Sequence, residues 1–420
     1  MKRIFHFFLF LPAVCFSAPL QAQLSIERCQ ELAKANYPLI HRYDIIAQTA
    51  AYNLANAGKG HLPQLLFSAK ASYQSHVTAL PLQLPGIQID GLTKDQYFAG
   101  LDVSQSLWDG GLVRTQKEVV KAGEAVEQEQ LNVDLYALEK RVNQLFFGIL
   151  LWDAQLNQNQ TLQADLQRSY AMVEAFAQNG IANQADLDAV AVEQLMARQQ
   201  YQQLLYGRKA YMEMLEIMIG RTIDESTSLE KPNPHNIRPS SQINRPEINL
   251  FDAQSQLFEI QKSAIVAGYM PKFSLFVQGG YGRPGLNMLN RDFSPFYIGG
   301  IRMVWNFGAL YTHKNDRLKL TLNQQNTDIM REVFLYHTNL EIKQQDAQVE
   351  RLLKAMQYDD EIIALRENIR RAAEAKVANG TLSVTELMRE LHAEHLAKQE
   401  KMTHEIEWLT AIYDLKYSTN

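Results

Sequence analysis

The chain repeats itself, and that repeat constrains its fold more than any other feature. "AQNGIANQADLD" (Ala177–Asp188) and "VANGTLSVTELM" (Val377–Met388) each put a Gly after an Asn, a helix-capping residue three places on and an acid three beyond that. Gly180 and Gly380 stand 200 positions apart. At an offset of 208, "NYPLIHRYDIIAQ" (36–48) maps onto "NRPEINLFDAQSQ" (244–256), and "HLPQLLFSAKASY" (61–73) onto "YMPKFSLFVQGGY" (269–281). "YFAGLDVSQSLWDGG" then matches "YIGGIRMVWNFGA" near an offset of 200. Chance matches would not keep this order over four segments.

Each copy opens with a helical segment, 25–57 in the first and 246–267 in the second, followed by a proline and an alternating stretch. Leu65, Phe67, Ala69, Ala71 and Tyr73 are apolar while Ser68, Lys70, Ser72 and Gln74 are polar, and period two is the strand signal. A Pro- and Gly-rich loop follows at 79–93, then a second strand with Tyr97, Ala99, Leu101 and Val103 on one face and Asp102, Ser104 and Ser106 on the other. The second copy gives Phe273, Leu275, Val277 and Tyr281 against Lys272, Ser274 and Gln278, then a strand near 296–307. The expected strands are 64–75, 95–108, 271–282 and 295–307, with aromatic residues at their ends. Such segments fit a transmembrane β-barrel, and equally a soluble hairpin with one buried face.

The remainder of each copy reads as long helices. From Val113 to Asn179 there is no Pro, and Leu131, Leu135, Leu138, Val142, Leu145, Ile149, Trp152 and Leu156 form a heptad seam. Some 65 residues of helix would make a rod of about 100 Å. The segment from Thr312 to Asn379 lacks both Pro and Gly and carries a rougher seam at Val349, Leu352, Met356 and Ile363. After each turn a helix returns, 183–218 and 383–417, and the shorter return arms need the first helix of each copy to complete the rod. Gly180 and Gly380 suit the left-handed conformation that ends a helix. Asn183 and Ser383 suit N-caps, and Asp186 and Glu386 would complete capping boxes.

The N-terminus reads as an export signal: Lys2 and Arg3, an apolar stretch from Ile4 to Phe16, and small residues up to Ala22, where cleavage is expected. Lipidation at Cys15 is the weaker reading, because Pro12-Ala13-Val14 is a poor approach to a lipidation site. Removal of the signal leaves Cys29 as the one thiol, with no partner for an internal disulfide. No later stretch is apolar enough for a membrane-spanning helix, so any membrane-embedded part must be closed β-structure. A net charge of −5 offers no basic field for nucleic acid.

The signal, the duplicated strand pair with a long helical hairpin, "SLWDGG" leading from strand to helix, and the paired Gly turns together resemble the TolC-like outer membrane efflux proteins. The resemblance covers essentially the whole mature chain. It implies a mainly α fold with transmembrane β, on a duplicated αββαα plan. Long antiparallel coiled-coil helices would build a periplasmic α-barrel, and four strands per protomer would join a trimeric 12-stranded β-barrel. The implied organisation is a signal peptide at 1–22 and two repeats, 23–225 and 240–420, with helices over 110–218 and 309–417. Physics agrees: four strands cannot close a barrel, and open edges are not tolerated in lipid.

The resemblance also implies a homotrimer in outer-membrane lipid, a periplasmic adaptor and an inner-membrane pump, with no cofactor and no nucleic acid. Adaptor contact maps to Gly180, Ile181, Asn183, Gly380, Thr381 and Ser383. A periplasmic gate maps to Asp186, Asp188, Glu386 and Arg389; Arg389 departs from the family's second acid, and could pair with Glu386 or Asp188. Asp102 and Arg302, equivalent in the two repeats, map to the barrel lumen. His392 and His395 have a spacing compatible with metal, but no third ligand is evident and a solvated helix face is the simpler reading. No nucleophile arrangement or phosphate loop is present, so the expected function is a passive exit duct for small molecules and not an enzyme. A duct for metal efflux or type I protein secretion, and a soluble periplasmic coiled-coil scaffold, are the alternatives.

Overall fold

The computed structural model describes residues 24–78, 92–224, 227–234, 242–288 and 290–420. The signal segment and most of the loop at 79–93 lie outside them. The chain order is α1 (Ile26–Asn36), α2 (Arg42–Gly58), β1 (Gln64–Tyr73), β2 (Asp95–Trp108), α3 (Leu112–Gln178) and α4 (Gln184–Ile219). The second copy follows as α5 (Pro246–Gly268), β3 (Lys272–Arg283), β4 (Ser294–Val304), α6 (Ala309–Ala378) and α7 (Val384–Thr419). None of the described helices is long and apolar enough to cross a membrane.

Two differences from the sequence reading have local causes. The opening segment is two helices, because Pro38 lacks an amide hydrogen and a 3-10 turn, Pro38–His41, intervenes. The fourth strand stops at Val304, and Trp305 instead donates its indole N–H to the Tyr269 carbonyl at 3.0 Å.

The chain divides into two compact units. One comprises His41–Asp134 and Asn244–Asn339 and contains the sheet. Its strands pair antiparallel in sequence order, β1-β2-β3-β4, which leaves β1 and β4 as the edges of an open sheet. The register aligns odd positions with odd. One face therefore carries Leu65, Phe67, Leu101, Val103, Leu275, Val277 and Ile301, and the other Ser68, Lys70, Asp102, Ser104, Gln278 and Arg302. On the apolar face Phe67 is 69% and Ile301 70% exposed in the single chain. On the polar face two rings cover glycines on the paired strand: Phe296 lies opposite Gly280, and Phe276 opposite Gly300.

The strand-to-helix corner explains "WDGG". Gly110 and Gly111 have φ of 76° and 86°, and a Cβ at Gly110 would come 2.6 Å from that of Met270. Asp109 then caps α3, accepting the Gly111 and Val113 amides at 2.8 Å each. Burial raises its pKa, but these two N–H donors outweigh that and hold it below its ordinary value.

The other unit comprises the chain up to Ile40, Leu135–Ile243 and Leu340–Asn420. Its main core joins Ile26, Cys29 and Ala33 of α1, Val142, Phe146 and Ile149 of α3, Leu215 of α4, and Leu409 and Tyr413 of α7. The α3 seam is buried from Leu131 through Ile149, as its heptad spacing dictates. On α6 only Leu352 of the rougher seam is fully buried.

Candidate functional site: the two hairpin tips

Both turns are built the same way. The α3 helix closes with Gly180 N–H donating to Ala177 at 3.1 Å and Ile181 N–H to Phe176 at 2.9 Å. The α6 helix closes with Gly380 N–H on Val377 and Thr381 N–H on Lys376, each at 2.9 Å. In each, the preceding Asn side chain (Asn179, Asn379) donates to a carbonyl one turn back at 2.8 Å. Gly180 and Gly380 have φ of 75° and 68°, where an L side chain is strained, and nothing lies near either missing Cβ.

The next residues start the returning helices with reciprocal capping boxes. Asn183 accepts the Asp186 amide and Asp186 accepts the Asn183 amide; Ser383 and Glu386 do the same. The Glu386 carboxyl is held below its usual range, first by the Ser383 amide, then by its hydroxyl, with Arg389 and Lys376 adding attraction. Gly180, Ile181, Asn183, Gly380, Thr381 and Ser383 are all exposed. Beneath them Leu166, Val173, Val190, Val377, Leu387 and Leu391 form one apolar cluster drawn from both hairpins. The two tips therefore stand side by side on a shared base.

The acids assigned to a gate are occupied locally. Asp186 and Glu386 serve the caps, and Asp188 accepts the Gln184 side chain at 2.8 Å. Arg389 pairs with neither Glu386 nor Asp188: its guanidinium lies 3.0 Å from Glu390, which also takes Arg366 of α6 at 3.6 Å. Asp102 and Arg302 share the polar sheet face but occupy different rows, opposite Gln278 and Ser274 respectively. Arg302 stacks 4.3 Å over the Phe276 ring.

The histidine pair departs from the solvated-face reading. His395 is 5% exposed, with Nε2 2.9 Å from Asp165 and Nδ1 2.7 Å from the Gln158 amide nitrogen. His392 Nε2 meets Glu193 at 2.7 Å. No group of three metal-ligating side chains occurs among the described residues. Sequence could not pair His395 with Asp165, because 230 positions separate them and neither lies in a motif.

The comparisons agree with this architecture. Residues 31–221 match the family model described as outer membrane efflux protein. Among curated protein sequences, none matches the chain. Among solved structures the chain is similar to CusC, whose structures concern transmembrane channel formation, at 16% identity and TM-score 0.70, over 94% of this chain and 92% of that one. It is similar to the CmeC outer membrane channel of Campylobacter jejuni at 15% identity and TM-score 0.67, over 94% and 85%. The MtrE outer membrane channel of Neisseria gonorrhoeae gives 16% and 0.64, over 94% and 88%. The chain's first repeat thus matches the outer membrane efflux protein family in sequence over residues 31–221, and the fold of these channels extends through both repeats.

Proposed function

We propose that the protein is a passive trimeric duct through the outer membrane. Three chains would close a 12-stranded barrel, and the helical hairpins would carry the path into the periplasm. The observation that carries this reading is the open four-stranded sheet. It has two free edges, an apolar face suited to lipid and a polar face suited to a water-filled lumen. Edge strands in lipid must be paired, and copies of the same chain supply the partner. A second copy would also cover the exposed apolar stripe on α6, where Leu318, Leu322, Ile329, Val333, Tyr336 and Leu340 keep heptad-compatible spacing.

In this reading an inner-membrane pump drives small molecules through a periplasmic adaptor into the duct. The adaptor meets Gly180, Ile181, Asn183, Gly380, Thr381 and Ser383, all exposed at the tips. Asp186, Asp188, Glu386 and Arg389 sit just inside them as the rim of the opening, and Asp102 and Arg302 set the charge of the barrel lumen. The deciding measurement is the mass of the protein extracted by detergent from isolated outer membranes. A detergent-stable trimer is expected. A monomer, or release without detergent, would replace the duct with a periplasmic scaffold.

A further inference from the structure

Polar pairs stitch residues 359–370 of α6 to residues 390–404 of α7. Arg366 meets Glu390 at 3.6 Å, Arg370 meets Glu394 at 2.5 Å, Lys398 meets Glu367 at 3.0 Å, Lys401 meets Asp360 at 2.5 Å, and His404 meets Asp359 at 3.0 Å. Such a ladder favours movement of the two helices as one body. Beneath the tips, the polar contacts from this hairpin to α3–α4 centre instead on His395 and His392 of α7. They border a cleft of about 530 Å³ lined by Gln155, Asn159, Gln199, Gln200, Gln203 and Gln399.

The contacts of His395 fix its tautomer. Nδ1 faces the Gln158 amide nitrogen, which donates, so Nδ1 is the acceptor. Nε2 then carries the proton and donates to Asp165. A second proton would set an Nδ1–H against the Gln158 N–H, breaking the contact that the neutral ring makes. Each carboxylate around the ring already has a partner, Glu374 beside Arg370 included. Asp165 of α3 is paired with Arg168, and Glu394 of α7, 1% exposed, holds Lys398 of its own helix and Arg370 of α6. Lys398 also meets Glu367 of α6, and Glu193 of α4 takes His392. A charge on a ring this deeply buried would lose its hydration, and the carboxylate in reach, Asp165, is shared with Arg168.

We propose that His395 is a proton-sensitive latch: the neutral ring holds α7 against α3, and proton uptake releases the tip end of α6–α7 from α3–α4. The proposal deepens the duct reading and rests on it only for its consequence, a periplasmic end that opens in acid.

The pH window follows from linkage. Burial pushes the His395 pKa from 6.5 down to about 4; Glu394 opposes this, and Lys398, His392 and Arg370 add to it. A ring freed from the packing returns toward its ordinary value, so the separated state binds more protons between these limits. The packed state keeps its full advantage above about pH 6.5 and loses it as pH falls toward 4; at pH 5 the separated state gains roughly 30-fold per protomer.

The test places spin labels at Ala185→Cys and Thr385→Cys, both exposed positions beside the tips, in labelled chain diluted with excess unlabelled protein in detergent. The 185–385 separation should lengthen between pH 7.5 and pH 5 in the otherwise wild-type protein. His395→Gln, which offers donor and acceptor but takes up no proton in this range, should abolish the change, and His392→Gln should retain it. A constant separation in the wild-type background, or an equal change in H395Q, overturns the latch. If H395Q fails to assemble, Asp165→Asn serves. Loss of the carboxylate that accepts the Nε2 proton weakens the neutral-ring contact and further disfavours a charged packed ring. Separation should then set in at higher pH than in the wild type, and an unmoved or lower onset overturns the proposal. Planar-bilayer conductance of the same preparation tests the duct separately. Conduction with a constant separation sinks the latch alone; a pH-dependent separation without conduction at any pH sinks the duct and leaves the latch.

Discussion

Gly207 of α4 lies against the indole of Trp152 on α3, so closely that a methyl group at 207 would stand 3.0 Å from Cη2 and Cζ2. The arrangement is reciprocal. Gly148 of α3 lies under the Tyr211 ring of α4, where a methyl would come 2.4 Å from Cε1, and the two rings meet edge to face at 6.1 Å. Each helix gives up a side chain to admit the other's aromatic ring, which fixes the stagger of the first hairpin.

Gly148→Ala and Gly207→Ala should therefore destabilise the protein by about 1–3 kcal/mol each, with G148A the worse. Gly123, in the same helix but with open space at its Cβ, is the control: Gly123→Ala should be neutral or stabilise by up to about 1 kcal/mol. Thermal unfolding of the detergent-extracted protein reads all three. Equal effects at 123 and 148 would remove the interlock.

At the tips, Gly180→Trp together with Gly380→Trp should abolish efflux while the extracted mass stays that of the wild type. Nothing lies within 4 Å of either missing Cβ, so the new rings would project outward into the space that docking needs. Drug susceptibility of cells carrying the double variant is the readout. Unchanged resistance would count heavily against the tips as docking sites.

Removing a cap isolates the local contribution. Asn183→Ala and Ser383→Ala should each cost about 1 kcal/mol, because the first turns of α4 and α7 lose the oxygen that accepts their amides. Hydrogen exchange in those turns should quicken about fivefold while the α3 core keeps its protection.

Cys29 is fully buried, and burial pushes its thiol up from 9.0 to about 12, with Glu27 adding to the rise. The group stays a neutral thiol throughout the ordinary pH range. At pH 9 the thiolate fraction should fall to roughly one part in a thousand of the thiol, against about half in the unfolded chain. Alkylation with iodoacetamide at that pH should thus proceed only after denaturation. Rapid labelling of native protein would place the α1 end of the core in error.

Charge reversal on the polar sheet face tests the lumen. Arg302→Glu should shift ion preference toward cations, read as a change in reversal potential across a salt gradient in planar bilayers. Asp102→Lys should shift it the other way. An unmoved potential in both would remove these side chains from the conducting path.

The duplication, the alternating strands, the α3 seam and the capping chemistry were legible from residues alone, because each depends on neighbours a few positions apart. The heptad positions from Leu131 to Ile149 are buried because a helix returns every seventh side chain to nearly the same face. Asn183–Asp186 and Ser383–Glu386 close their boxes within one turn. The break at Pro38 belongs to the same local chemistry, although the apolar pattern runs continuously across it.

Tertiary structure decided what depends on distant partners. Arg389 chose Glu390 because Glu386 was already committed to its cap and Glu390 also faces Arg366 across the hairpin. Gly148 and Gly207 gained meaning only when packing set an aromatic ring over each. His395, by sequence a polar residue on an exposed-looking helix face, became a buried ring between two hairpins once α7 packed on α3. Sequence sets the local geometry through short-range sterics and hydrogen bonds; burial, and with it the cost of a charge, is set by whichever segments the fold brings together.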